Sequence, residues 1–173
     1  MQHFLPDHPG FVHFPLGLLA AAFVFELLGL IFRRDSLHDL GRGALFLGTL
    51  AALAAVGTGL AAEGLVKPVP RALGSLLDLH KLLALATAAL AVILSMWRIS
   101  VRKRYHGGVR AAFVAALAAL AVAVLWTGHV GGRMVYDHGA GVTVGRRTYA
   151  APRGTPAASS PNTPRPAGEA EAP

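Results

Sequence analysis

The stretch HPGFVHFPLGLLAAAFVFELLGLIF, His8–Phe32, decides the fold of this chain. From Phe11 to Phe32 it stays apolar over 22 residues, and Glu26 is its one charged side chain. A helix rises about 1.5 Å per residue, so this length is enough to cross roughly 30 Å of hydrocarbon. Two histidines, His8 and His13, stand at its beginning. The stretch therefore predicts a membrane helix with two histidines at its N-terminal end.

The composition of the whole chain also indicates a bilayer as its main solvent. Charged residues make up only 14% of the 173 residues, and 54% are hydrophobic, whereas a soluble domain carries roughly 25% charged residues. The net charge of +7 comes from basic residues clustered at the ends of apolar runs, which is the membrane-topology pattern. We expect no nucleic-acid partner. The absence of cysteine excludes thiolate metal sites, iron–sulfur clusters and covalent haem attachment.

Four apolar runs predict an all-α membrane protein, an antiparallel bundle of four transmembrane helices. Proline after Lys67 stops the second run, and Ser75 with Asp78 forms a capping pattern at the start of the third. Beyond residue 147 the chain is rich in Pro, Ala, Ser and Thr, a composition that predicts disorder. We therefore expect a membrane domain over 1–147 and a disordered tail over 148–173, with helices at about 11–32, 44–66, 75–97 and 111–131.

Four crossings bring both chain termini to one side of the membrane, which we call the terminal face. The other side, the loop face, carries the predicted loops 33–43 and 98–110. The basic residues of these loops are Arg33, Arg34, Arg42, Arg98, Arg102, Lys103, Arg104 and Arg110. By the positive-inside rule the loop face is cytoplasmic. We thus expect a multi-pass protein of the bacterial inner membrane with both termini external.

The same topology gathers histidines at the terminal face. Imidazole binds haem iron and first-row metals without help from cysteine. The candidate axial ligands of a haem are His13 and His80, with His129 next. The candidate ligands of a non-haem metal are His8, His13, His80 and His138. Asp78 and Glu63 lie at the same level and could accept the second ring N–H of a ligating histidine.

Simpler interpretations stand beside these. An interfacial histidine is often only an amphipathic side chain. His38 and His106 are expected to be solvated loop residues. Glu26 is either a proton or ion site, or one half of an ion pair with Arg98 or Arg42.

Several motifs resemble a bacterial family, domain of unknown function family 2231 (DUF2231), whose members are predicted four-helix membrane proteins. The resemblance covers about residues 5–143. It rests on His8-Pro9 with Val12-His13-Phe14-Pro15-Leu16-Gly17, Thr58-Gly59-Leu60, Leu79-His80, and Gly131-Gly132 with Val135-Tyr136-Asp137-His138-Gly139-Ala140-Gly141-Val142. It implies a four-helix bundle with histidines at the helix ends, an architecture similar to that of small b-type cytochromes.

Three functions fit these features. The first is a haem-b-binding electron-transfer subunit that works with other membrane redox subunits. The second is a protein that holds copper or zinc. The third is a structural or assembly subunit that docks through the small residues of its second helix, Gly57 and Gly59 among them. No phosphate loop or nucleophile elbow is present, and we do not expect an enzyme on its own.

Overall fold

The computed structural model describes residues 8–63, 71–101, 105–140, 143–144 and 147–148. The predicted helix stop at Lys67-Pro68, the basic residues 102–104 and the predicted tail beyond Thr148 lie outside the described residues. The elements in chain order are the helices α1 (His8–Phe11), α2 (His13–Phe32), α3 (Asp35–Glu63), α4 (Arg71–Ser100) and α5 (Gly107–His138), and the strands β1 (Thr143–Val144) and β2 (Arg147–Thr148).

Helices α2 and α3 are joined by a turn of only two residues. Arg33 adopts a left-handed conformation with φ of 53°, and its N–H bonds the carbonyl of Gly29 to close α2. Helix α3 then begins at Asp35, whose negative carboxylate is stabilised by the positive N-terminal end of the helix dipole. The prediction of a loop over 33–43 was therefore wrong from Asp35 onward. This matters for function because it turns His38 from a loop residue into a helical one.

The last helix is also longer than its apolar run. It passes through Gly131 and Gly132, where the run was predicted to end, and continues to His138. Gly139 ends it with φ of 65° and an N–H that bonds the carbonyls of Met134 and Val135. Beyond it, β1 and β2 pair antiparallel over two residues each, a small feature that the sequence did not predict.

The four long helices form an antiparallel ring in which each helix packs against two neighbours. Helix α2 packs against α3 and α5, and α4 packs against the same two helices from the opposite side. Large side chains fill the centre of the ring: Leu19, Leu45, Phe113, Leu117 and Leu120 are fully buried. Hydrogen bonds between hydroxyls tie neighbouring helices, Thr49 to Ser95 at 2.9 Å and Thr87 to Thr127 at 3.1 Å. Such interhelical bonds contribute roughly 0.6 kcal/mol each in membranes.

The outside of the ring is apolar. Leu50, Leu82 and Val122 are each about two thirds exposed, at 64%, 65% and 66%, and helices α2 to α5 are all long and apolar enough to cross a membrane. Large aliphatic side chains facing outward along four such helices are suited to lipid rather than water. The predicted fold class, a four-helix transmembrane bundle, is thereby confirmed.

Candidate functional site

Helix α1 brings His8 onto the surface of α3. This single turn runs almost without a break into α2, because the N–H of Val12 bonds the carbonyl of His8 at 3.2 Å and Leu16 bonds Val12 in turn at 3.4 Å. The Nδ1 atom of His8 lies 3.1 Å from the hydroxyl of Thr58. That hydroxyl donates its own hydrogen to the carbonyl of Ala55 at 3.0 Å. It must therefore accept from His8, so Nδ1 carries the proton and Nε2 carries the lone pair.

His80 on α4 is held in the same tautomer by α5. Its Nδ1 lies 3.2 Å from the backbone carbonyl of Thr127. A carbonyl can only accept, so Nδ1 of His80 must donate, and Nε2 again carries the lone pair. In the neutral form of each ring, donation from Nδ1 leaves the lone pair on Nε2, the nitrogen that could ligate a metal.

The two rings form a pair across the terminal face, which we call the histidine pair. Their centroids are 6.4 Å apart and their planes cross at 79°. Both side chains are half-buried. Glycines allow this approach: a Cβ on Gly59 of α3 would lie 2.9 Å from Cε1 of His8, and a Cβ on Gly131 of α5 would lie 3.1 Å from Cε1 of His80. Gly59 is thus explained by a contact within the chain, whereas Gly57 faces open space.

The electrostatics of the pair favour the ligating form of His8. Burial lowers the pKa of His8 below its ordinary value, and the nearby charge that His80 would carry lowers this pKa further. A proton on both rings at once is disfavoured by their mutual repulsion. Neutral imidazole is the form that binds metals.

The spacing of the pair matches what one metal centre requires. Two imidazoles that each bind a central ion at about 2.0–2.1 Å have ring centroids about 6 Å apart. Metal-ligating histidines usually donate their second ring N–H to a carbonyl or another oxygen, as His8 and His80 do here. The separation of the two rings therefore fits two ligands of one metal ion.

The other predicted ligands occupy separate positions. His13 is exposed on α2, and His129 is exposed with its ring 5.7 Å from that of Trp126. His138 points back along α5, with Nδ1 3.3 Å from the carbonyl of Arg133. Within the described ranges, no three His, Asp or Glu side chains gather closely enough to hold a metal ion.

Of the two predicted carboxylate partners, only Asp78 has a side chain that the structure describes. Asp78 is exposed, and its carboxylate is 4.0 Å from the ammonium of Lys81. The side chain of Glu63 is outside the described residues. The oxygens that hold the histidine pair are instead those of Thr58 and Thr127. Thr58 belongs to the family motif, but neither residue was predicted to bond a histidine.

A second polar group, which we call the loop-face cluster, is buried at the opposite end of the bundle. It consists of Glu26, His38, Arg98 and Tyr105, whose exposed fractions are 0%, 2%, 4% and 8%. One carboxylate oxygen of Glu26 accepts hydrogen bonds from Nδ1 of His38 and, at 2.6 Å, from the hydroxyl of Tyr105. The guanidinium of Arg98 lies 3.6 Å from the other oxygen and stacks 3.6 Å over the Tyr105 ring. Each of the four comes from a different part of the chain.

This cluster corrects one prediction and confirms part of another. The prediction that His38 is solvated was wrong, because the early start of α3 turns its ring into the bundle against Glu26. His106 is exposed, as predicted. The ion pair of Glu26 with Arg98 is present, whereas Arg42 pairs with Asp39 at 3.1 Å.

Tyr105 was missed altogether. A tyrosine beside a basic loop is typical of an interfacial anchor, so no sequence signal indicated burial. Burial raises the pKa of the Tyr105 hydroxyl, and its hydrogen bond to Glu26 and the charge of that carboxylate raise this pKa further. Tyr105 therefore stays protonated and acts as a hydrogen-bond donor.

The sequence model of the family described as "Predicted membrane protein (DUF2231)" matches residues 5–144, which include all four long helices. The chain belongs to the DUF2231 family. Comparisons with curated proteins and with solved structures found no match.

The DUF2231 match includes both polar groups. The histidine pair and the loop-face cluster lie between His8 and Thr127, inside the matched residues. The four apolar helices agree with the family's description as a membrane protein. This DUF2231 protein is therefore an integral membrane protein with a paired-imidazole site at one end and a buried ionic site at the other.

Proposed function

We propose that this DUF2231 protein is a membrane electron-transfer subunit whose metal centre, haem b, is ligated by His8 and His80. The observation that carries the proposal is the geometry of the histidine pair. Two imidazoles from different helices lie 6.4 Å apart, and each is held as an Nδ1–H tautomer by an oxygen of a third or fourth helix. His8 and His80 would hold the iron through their Nε2 lone pairs, which donation from Nδ1 leaves available on both neutral rings.

The chain's own residues supply binding and orientation. Thr58 and the carbonyl of Thr127 fix the ring planes, and burial keeps His8 in its neutral form. Without cysteine the cofactor would be held non-covalently. A haem held by His8 and His80 would supply one-electron transfer when bound, and other membrane redox subunits would be the donor and acceptor.

A single copper or zinc ion is the second candidate. The same 6.4 Å spacing supports it, since one ion between the rings needs no macrocycle between the helices. Imidazole suits both metals. The two candidates share the ligands His8 and His80 and differ in what the purified protein contains.

A spectrum with metal analysis tests the proposal. The full chain, expressed with added haem precursor and metal salts and purified in detergent, is expected to show a Soret band and about one iron per chain. His8→Ala and His80→Ala should each abolish the band. His129→Ala and His106→Ala, two exposed histidines outside the pair, are matched controls and should retain it.

The outcomes separate the candidates. Copper or zinc at about one ion per chain, with no Soret band and with the same dependence on His8 and His80, would replace haem by a single ion. Metal content that does not change in His8→Ala and His80→Ala would overturn both candidates, and the structural or assembly role would then be the favoured function.

We also propose that the loop face is cytoplasmic and that the protein lies in a bacterial inner membrane with external termini. The support is the number of basic residues at the loop face. The chain has no native cysteine, so single cysteines report orientation directly. On spheroplasts, a membrane-impermeant maleimide should label Tyr136→Cys and spare Arg34→Cys. The reverse labelling pattern would refute this orientation.

A further inference from the structure

A cavity opens between α3 and α4 at the loop face. Its volume is about 300 Å³, and it is lined by Arg42, Phe46, Arg98 and Ile99. Arg42 and Phe46 lie one turn apart on α3, and Arg98 and Ile99 belong to the last turn of α4. The cavity thus combines two guanidinium groups with two apolar side chains. None of the proposed metal ligands takes part in it.

Arg98 retains hydrogen-bonding capacity although it is 96% buried, with an exposed fraction of 4%. Its Nε is buried and has no hydrogen-bond partner within the part of the chain that the structure describes. Glu26 is its nearest carboxylate, at 3.6 Å, which is an ion-pair distance but longer than a hydrogen bond. The other oxygen of Glu26 already accepts from His38 and Tyr105. Nε of Arg98 and the Glu26 Oε1 that faces it thus both lack a hydrogen-bond partner among the described residues, so the ion pair does not use the full bonding capacity of Arg98.

The contact of Arg98 with Tyr105 holds its guanidinium in place. The guanidinium carbon lies 3.6 Å above the centroid of the buried Tyr105 ring, which is a cation–π distance. Arg42, on the other wall of the cavity, pairs with Asp39, and both side chains are exposed, at 39% and 63%. Such an exposed ion pair contributes little free energy, so Arg42 can turn from Asp39 toward an anion at small cost.

We propose that this cavity binds a phosphate group between Arg42 and Arg98, and that its source is the headgroup of an anionic phospholipid. Guanidinium matches phosphate through paired N–H donors. Basic pockets between membrane helices commonly bind anionic headgroups. The apolar part of the lining supports lipid over free phosphate. Ile99 is 62% exposed beside Met96, also 62% exposed, and both can lie along an acyl chain that leaves the headgroup.

Native mass spectrometry of the detergent-solubilised full chain tests this binding. Phosphatidylglycerol is expected to bind saturably at one molecule per chain, and phosphatidylcholine to bind far less. Arg42→Gln should weaken phosphatidylglycerol binding by roughly tenfold or more, as expected for the loss of one charge-assisted hydrogen-bonding group. Arg42→Lys, which keeps the charge without the planar fork, should give an intermediate loss.

Arg34→Gln is the matched control. Arg34 lies at the same face, is exposed and does not line the cavity, so it should bind phosphatidylglycerol like the wild type. Competition between inorganic phosphate and phosphatidylglycerol tests whether the bound phosphate group comes from a lipid headgroup or from free phosphate. Displacement of bound lipid by phosphate would support recognition of the phosphate group, whereas saturable phosphate binding without lipid binding would overturn the lipid assignment. Equal affinities of Arg42→Gln and Arg34→Gln, or the absence of saturable binding, would overturn the site itself.

Discussion

Replacing Glu26 by alanine is expected to destabilise the bundle by about 3–5 kcal/mol, the range found when one partner of a buried ion pair is removed. Glu26 is fully buried and is the shared acceptor of His38 and Tyr105 as well as the counter-charge of Arg98. Without its carboxylate, a buried cation and two buried donors would lose their partner. The alanine would also leave a cavity where the side chain packs.

Unfolding of the purified variants in detergent, followed by circular dichroism against denaturant, measures this effect. Glu26→Gln keeps the shape and one acceptor oxygen, so it should lose less stability than Glu26→Ala. The double variant Glu26→Leu with Arg98→Leu removes both charges, and it should lose less than Glu26→Leu alone because no unpaired charge stays buried. Strictly additive losses for the two positions would contradict the coupling inferred from the 3.6 Å separation.

Two glycines of α3, only two positions apart, should respond oppositely to alanine. A Cβ on Gly41 would lie 2.6 Å from Cγ of Glu26 and 3.2 Å from the carbonyl oxygen of Ala22. The first contact is with the most buried side chain of the loop-face cluster, and the second is with backbone that cannot rotate away. Gly41→Ala is therefore expected to cost about 1–3 kcal/mol, as overpacking typically does.

Gly43→Ala is the matched control for Gly41→Ala. No atom of the described residues lies within 4 Å of a Cβ on Gly43, so alanine there should be neutral or stabilise by up to about 1 kcal/mol through helix propensity. The same denaturation measurement compares the two variants directly. Unfolding of both variants at the same denaturant concentration would contradict the close contact of α3 with α2 at Gly41 and Glu26.

The membrane fold could be predicted because its signals are local. The apolar residues of each run, and Arg33-Arg34 after Phe32, report what a segment of chain prefers as its solvent, and this preference does not depend on the other segments. The crossing count then placed His8 and His80 on one face. The same local reasoning failed at Asp35, because a helix can start in a polar stretch when its partner helix buries one side of it.

The candidate sites depended on more than composition. The sequence offered four terminal-face histidines as partners of His80, with His13 preferred for a haem, yet it is His8 whose ring meets that of His80. Thr58 and Thr127 could not be singled out, since hydroxyls and carbonyls are common on membrane helices. His38 and Tyr105 were misread or missed because their positions, near basic loops, resemble those of solvated or interfacial residues.

The sequence by itself determined that this chain is a four-helix membrane protein with histidines concentrated at one face. The tertiary structure alone decided which of them form a pair, and that Glu26 is shared by three partners from three other parts of the chain. The physical reason is that membrane insertion is a property of one segment, whereas a contact between side chains is a property of the whole bundle. Insertion into a bilayer depends on the summed hydrophobicity of about 20 consecutive residues. The contact of two side chains depends on the rotation and register of whole helices, which the packing of all four helices sets together.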